Sequence, residues 1–403
     1  MNFLRGLSRY IVGIVFILSG LLKALDPVGG GLKIKEYLSS FYMGWLDFIS
    51  MPLAFILPIF ELLIGVALIK RIKMEFFSKA ALIFISFFTL LTLITASFNL
   101  VEDCGCFGEA IKLSHWSTFF KNLVLLGLVI FIFIERKKIG YNFSVKREWI
   151  DLGINFILIF LIIFISLYNK PIVDFGSYKH GADLLSLLKT EKKLEYSTTF
   201  IYSKDGVEEQ FTLENLPDSS WVFVDAKTTL VGGDDAEESV DFEFKNSDGE
   251  YIAKETLLNH KNIFILSIYK EKFSNRLVNR VKSLVDSLAR GGESLYLLSA
   301  LSMEKTDVLL QREELYECKN IVPVYGDYKF VISLNRSNGG VTYINNGVVI
   351  IKWSNKTLPI RLDDLIKSDK EIMLARLDIW EQIFFEVILA LFLLQLFKFS
   401  IRF

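Results

Sequence analysis

Cysteine is nearly absent from this chain: three copies stand among 403 residues. So few thiols exclude a scaffold held by several disulfides. Cys104, Cys106 and His115 are too few ligands for a metal, so no metal site is expected. Also missing is a basic surface of the kind that binds nucleic acid: the net charge of -1 sums unlike parts, with basic residues clustered at the ends of apolar runs and the acidic excess over 234–250. No small-x-small cleavage site follows the first apolar run, where Lys23-Ala24-Leu25-Asp26-Pro27 stands instead. That run therefore reads as a retained span rather than a signal peptide. Paired inverted repeats and broken helices, the marks of a secondary transporter, are lacking as well.

What is plentiful is apolar. Hydrophobic residues make up 52% of the chain and the mean hydropathy is +0.40, too apolar for a soluble protein of this length. Six membrane spans are expected, over 10–25, 48–69, 80–101, 115–134, 152–168 and 379–397. Asp26-Pro27 is expected to stop the first helix and Gly29-Gly30-Gly31 to open a loop. Residues 34–47 read as a short helix in the interface, with Tyr37, Tyr42 and Trp45 at headgroup level. Ser114 is the expected N-cap of the fourth span. Basic residues mark one side of the membrane: Arg5 and Arg9, then Lys70, Arg71, Lys73 and Lys79, the stretch 136–147, and Lys398 and Arg402. The short loops opposite hold Lys23, Lys33, Lys35 and Lys112. This bias makes the first side cytoplasmic. Both termini then lie inside, and the loop around Cys104 shares the outer, disulfide-permitting compartment with residues 169–376. The lipid bilayer is the first partner.

The long polar region has its own pattern. Alternation predicts strands over 196–202 and 207–213 about a turn at Asp205-Gly206. A further strand is expected over 221–224, and an acidic, solvated loop with a short strand over 234–250. Then come buried strands over 262–269 and 294–299, helices over 273–290 and 306–316, and a hairpin of 341–344 with 348–353. A helix over 358–366 closes the region. The order β-α-β-α-β-β-α is that of a thioredoxin-like domain. The expected layout is a four-span bundle (1–140), a fifth span (141–170), a β-rich extension (171–258), an α/β domain (259–376) and a last span (377–403).

Two of the three cysteines fall within Cys104-Gly105-Cys106-Phe107-Gly108-Glu109, between two apolar runs. Glycine permits the tight backbone that a Cys-x-Cys ring requires. An i, i+2 disulfide is strained, and strain makes a bond labile and apt to exchange. Glu102 and Asp103 oppose reactivity by raising thiol pKa, and His115 offsets them if it folds over the loop. A re-entrant turn or a structural disulfide is the bland alternative. Glu61, a carboxylate inside a span, is a candidate for proton relay or for pairing with Lys23 or Lys121. Glu386 in the last span reads as structural. Cys318 reads as a buried small hydrophobe rather than a resolving thiol, and His180 and His260 have no neighbours that suggest a site.

Three stretches resemble the MauE/DoxX family of redox-associated membrane proteins. They are Ser19-Gly20-Leu21-Leu22-Lys23-Ala24-Leu25-Asp26-Pro27, Glu61-Leu62-Leu63-Ile64-Gly65 and Cys104-Gly105-Cys106-Phe107-Gly108. The whole layout resembles a fused, Bacteroidetes-type DoxX subfamily. The resemblance implies a four-helix bundle in the bacterial inner membrane, with Cys104 and Cys106 as the redox pair. It further implies a periplasmic protein partner or membrane complex, and no required cofactor, with a quinone as a candidate acceptor. The α/β domain departs from a working thioredoxin. Where Cys-x-x-Cys is due stands Tyr269-Lys270-Glu271-Lys272-Phe273, and Gly339-Gly340 replace the proline expected before the hairpin. Two functions follow as expectations: a thiol–disulfide oxidoreductase component, or a non-catalytic scaffold that docks a complex through the degenerate domain.

Overall fold

The computed structural model describes residues 2–101, 104–111, 113–139, 145–168, 170–189, 196–204, 207–212, 221–230, 242–318 and 320–359, and scattered positions between 370 and 390. Among them, five helices are long and apolar enough to cross a membrane. They are α1 (Asn2–Leu25), α3 (Ser50–Lys70, entered through a 3-10 turn at Gly44–Ile49), α4 (Met74–Phe98), α5 (His115–Glu135) and α6 (Val145–Tyr168). Between α1 and α3 lies α2 (Pro27–Ser40), and between α4 and α5 a short strand, β1 (Cys106–Glu109). The expected sixth span lies largely outside the described residues.

Helix α2 corrects one expectation. Asp26-Pro27 does end α1, but it opens a new helix instead of a glycine loop. The Asp26 Oδ1 accepts the Gly29 N–H at 2.9 Å, and proline takes the first helical position, where no N–H is needed. Gly29, Gly30 and Gly31 are helical. Ser114 caps α5 as expected, accepting from Ser117 N at 3.3 Å.

The tightest packing in the bundle is α1 on α3. A Cβ built on Gly65 would lie 2.6 Å from the Gly13 carbonyl oxygen, so only hydrogen fits there. Charges tie the helices at the end away from β1. Arg9 donates to the Leu68 and Ile69 carbonyls at the C-terminus of α3, where backbone acceptors lack helical partners. Arg5 meets Glu135 at 2.5 Å, Lys70 meets Asp151 at 3.5 Å and Lys73 meets Glu148 at 3.6 Å.

Beyond α6 come α7 (Leu184–Lys189), β2 (Tyr196–Lys204), β3 (Val207–Thr212), β4 (Val222–Leu230), α8 (Ala253–Asn259), β5 (Asn262–Ile268), α9 (Asn275–Arg290), β6 (Leu295–Ser299), α10 (Met303–Arg312), β7 (Ile321–Tyr325), α11 (Tyr328–Leu334), β8 (Gly340–Asn345) and β9 (Val348–Trp353). Strands β2, β3 and β4 form an antiparallel sheet in the order β3-β2-β4. Lys204 pairs with Val207, the register a two-residue hairpin imposes, although Asp205-Gly206 lies outside the described residues.

The second sheet runs β7-β6-β5-β8-β9, with β5, β6 and β7 parallel and β8 antiparallel to β5. Alternate residues of β5 face opposite layers. Phe264, Leu266 and Ile268 pack with Leu277, Val281 and Leu288 of α9. Ile263 and Ile265 pack on the other side with Phe330 and Val331 of α11. That second layer also takes in Tyr178, Leu184, Phe242 and Phe244, so the core reaches N-terminal of residue 259. Phe242 and Phe244 are fully buried, so the solvated loop expected over 234–250 fails at these two positions while Glu243 and residues 247–250 are exposed; residues 234–241 lie outside the described residues. Strand β7 and helix α11 are additions to the expected order. Most of the expected closing helix lies outside the described residues.

Candidate functional site

The cysteine loop is gripped by its backbone. Gly105 and Gly108 have φ of +56° and +62°, and the Gly108 N–H closes a turn on the Gly105 carbonyl at 3.1 Å. Ser19 of α1 donates its hydroxyl to the Cys106 carbonyl at 2.7 Å. Tyr37 of α2 donates to the Cys104 carbonyl at 3.1 Å. The stem of Lys33 fills the space a Gly105 side chain would need. His115 does not bond a thiol: its Nε2 lies 2.6 Å from the Val101 carbonyl oxygen and so carries the proton. Glu102 and Asp103 lie outside the described residues.

All three cysteines are free thiols. Cys104 is buried and Cys106 half-buried. Cys106 lines a cleft of about 40 Å³ between α1, α3, α4 and α5, together with Ser19, Lys23, Glu61, Phe107 and Lys121. That volume suits a water or a small polar group. In it Lys23 meets Glu61 at 2.5 Å, so of the two cations considered for Glu61 it is Lys23 that pairs with it. Lys121 lies 4.4 Å above the Phe107 ring. Burial pushes the Cys106 thiol above its ordinary pKa, against the pull of Lys121 and then Lys23.

A second cluster adjoins the loop. Arg336, in the turn between α11 and β8, is 4% exposed at its side chain. Its Nε reaches Asp26 Oδ2 at 3.1 Å and its Nη2 reaches Glu109 Oε1 at 2.5 Å. Burial alone would lower the guanidinium's pKa, but Asp26, Glu109 and Asp174 outweigh it and raise it. Asp26 is pushed up by burial, against the pull of Arg336. Burial also raises Asp174, yet Lys352 at 2.7 Å outweighs it and holds that carboxyl down at about 2.

The cysteine-free segment 269–273 is tied into the same corner. The Asn338 side-chain oxygen accepts the Tyr269 and Lys270 N–H groups at 2.8 and 2.9 Å, and Tyr269 donates its hydroxyl to the Arg336 carbonyl at 2.6 Å. The structure thus brings together Cys104, Cys106, Lys23, Glu61 and Lys121, and beside them Asp26, Glu109 and Arg336. It leaves out Cys318, which packs half-buried against the α9 core. His260 bonds the Thr256 carbonyl at 3.3 Å, His180 is buried near Lys170, and Glu386 is exposed. Ser19 and Asp26 belong to the Ser-Gly-x-x-Lys-x-x-Asp-Pro stretch, whereas nothing in the local sequence marks Tyr37 or Arg336 as site residues.

A family model described as methylamine utilisation protein MauE matches residues 1–135. A second, a domain of unknown function (DUF8463), matches residues 196–232, which hold β2 to β4. No curated protein and no solved structure matches the chain. Together with the five apolar helices, the first match supports a membrane protein whose first third, residues 1–135, is of MauE type.

Proposed function

We propose that this chain is a thiol–disulfide component of a bacterial inner membrane, in which Cys104 and Cys106 exchange with the cysteines of a periplasmic protein. The observation that carries the reading is that Cys106 shares one cleft with Lys23, Glu61 and Lys121. A thiol must shed its proton before it can attack or leave as thiolate. Lys121 and Lys23 stabilise the thiolate, and Glu61 is a place for the proton to go. In the disulfide-forming direction a partner dithiol becomes a disulfide, the Cys104–Cys106 bond breaks, and two electrons and two protons pass to the loop. A quinone is the candidate that restores the loop. The redox or methylamine-utilisation setting suggested by the MauE name is in keeping with this chemistry. The positive-inside bias favours a loop and α/β domain on the outer side.

The second reading is a scaffold that docks a partner through a degenerate thioredoxin-like domain. It is favoured by the cysteine-free segment 269–273, and by the use of the neighbouring Arg336 turn for contact with the bundle. One experiment separates the two. Intact cells whose chain carries Cys318→Ser, which removes the third free thiol, are treated with a maleimide that cannot cross the membrane, with and without mild reductant, for the otherwise native chain, Cys104→Ser, Cys106→Ser and Lys121→Met. Labelling of the otherwise native chain only after reduction is expected. In Cys104→Ser, Cys106 should label without reductant, and adding Lys121→Met should move its labelling to higher pH. Thiols that stay reduced in native membranes would sink the exchange reading and leave the scaffold.

A further inference from the structure

We propose that Arg336 is a positioning residue through which the α/β domain sets the geometry and reactivity of the cysteine pair; this rests on the thiol reading above. Cys106 opens β1, and Glu109 closes it. Cys104 is held by Tyr37 of α2, and Asp26 is the N-cap of α2. Glu109 and Asp26 are therefore end residues of the two elements that grip the two cysteines. One guanidinium, supplied by the α/β domain from 310 residues away, joins them.

Arginine suits this task. Its planar fork reaches two carboxylates at once, where a lysine offers a single point charge. Burial makes the charged form of Asp26 costly, and the guanidinium is what holds Asp26 and Glu109 together. Without it the link between α2 and β1 is lost, and the cysteine loop loosens. Two outer contacts run alongside: Lys329 lies 3.8 Å from Glu36, and Lys35 lies 4.7 Å above the Tyr328 ring. Being partly exposed, they contribute little by themselves. Arg336 is also bonded through its carbonyl to Tyr269, so a partner bound at segment 269–273 would act on the latch directly. The α/β domain, whose segment 269–273 holds no cysteine, is thereby coupled to the cysteine pair of the bundle.

Two measurements on the full chain test this. In the first, the native cysteines are changed to serine and a reporter pair, Glu36→Cys with Lys329→Cys, is oxidised in membranes to read docking independently of thiol function. In the second, the alkylation rate of Cys106 is measured in a Cys104→Ser, Cys318→Ser background. Arg336→Gln is expected to reduce the reporter crosslink and to speed alkylation about threefold to tenfold, the range of a modest coupling. Arg336→Lys should fall between wild type and Arg336→Gln. Glu109→Gln should keep the crosslink, because Asp26 still holds Arg336, yet still speed alkylation. If Arg336→Gln fails to accumulate, Glu109→Gln carries the test. An unchanged alkylation rate in these variants overturns the proposal, as does a crosslink indifferent to Arg336. Should the native pair never form a disulfide, the exchange reading fails, while these two readouts still decide the latch.

Discussion

Lys23 and Glu61 meet inside the bundle with side chains 14% and 3% exposed. A buried ion pair adds little net stability, but removing one member strands the other. Glu61→Gln and Lys23→Met are each expected to cost about 3–5 kcal/mol, while Lys23→Met with Glu61→Leu recovers most of the loss. Thermal unfolding in detergent checks this. The double variant also separates packing from chemistry. A merely structural pair would regain thiol exchange along with stability; on the proton-handling reading, exchange stays lost. Glu61 was legible in the sequence because a carboxylate in an apolar run is conspicuous. Lys23 was one of two named partners, and the choice between it and Lys121 needed the helices in register. Arg336 was illegible, since its partners lie 310 and 227 residues away.

At the scale of elements, the site depends on how closely α1 approaches α3, because those helices carry Lys23 and Glu61. Gly65→Leu would drive a side chain into the Gly13 carbonyl and the Ile17 side chain. Overpacking of this kind costs about 1–3 kcal/mol or more. The expected result is a lower melting temperature in detergent and a cleft in which Lys23 and Glu61 no longer meet, with the pH profile of Cys106 alkylation shifted. A variant as stable as wild type, with an unaltered alkylation profile, would count against this packing account. Two elements defeated the sequence reading for opposite reasons. Asp26-Pro27 suits the end of one helix and the start of the next equally well, and the packing of α2 over the loop decides between them. Pro323 argues against a strand, yet β7 is the edge strand of its sheet, paired with β6 and bridged on its other side at Tyr325 to Lys245, and a missing N–H is tolerated there.

For the whole molecule, acid should loosen the α/β domain before it affects the Asp174–Lys352 pair. Burial, then Lys170 and Lys352, lower the His180 pKa from 6.5 to about 4. Above pH 6.5 the ring is neutral whether folded or unfolded, and its contribution is complete. As pH falls from 6.5 toward 4 the unfolded chain takes up the proton first, so stability is lost across that window. Asp174, held at about 2 against an ordinary 3.8, contributes above pH 3.8 and fails only below it. Denaturant unfolding of the full chain in detergent should therefore show a midpoint that declines between pH 6.5 and 4, and His180→Asn should flatten the decline. A wild-type midpoint that is level over this window would contradict the assignment.

Local sequence was enough to determine the five described spans, the glycine-framed cysteine turn, the conspicuous Glu61 and most strands of the α/β domain. Those features rest on hydropathy, periodicity and turn chemistry, which act over a few residues. The tertiary structure alone decided that Cys106 shares a cleft with Lys23 and Lys121, that Asp26 caps a helix, and that Arg336 joins the domain to the loop. Such contacts depend on charges that find each other only when distant segments pack and shed water, and no short window of sequence records that.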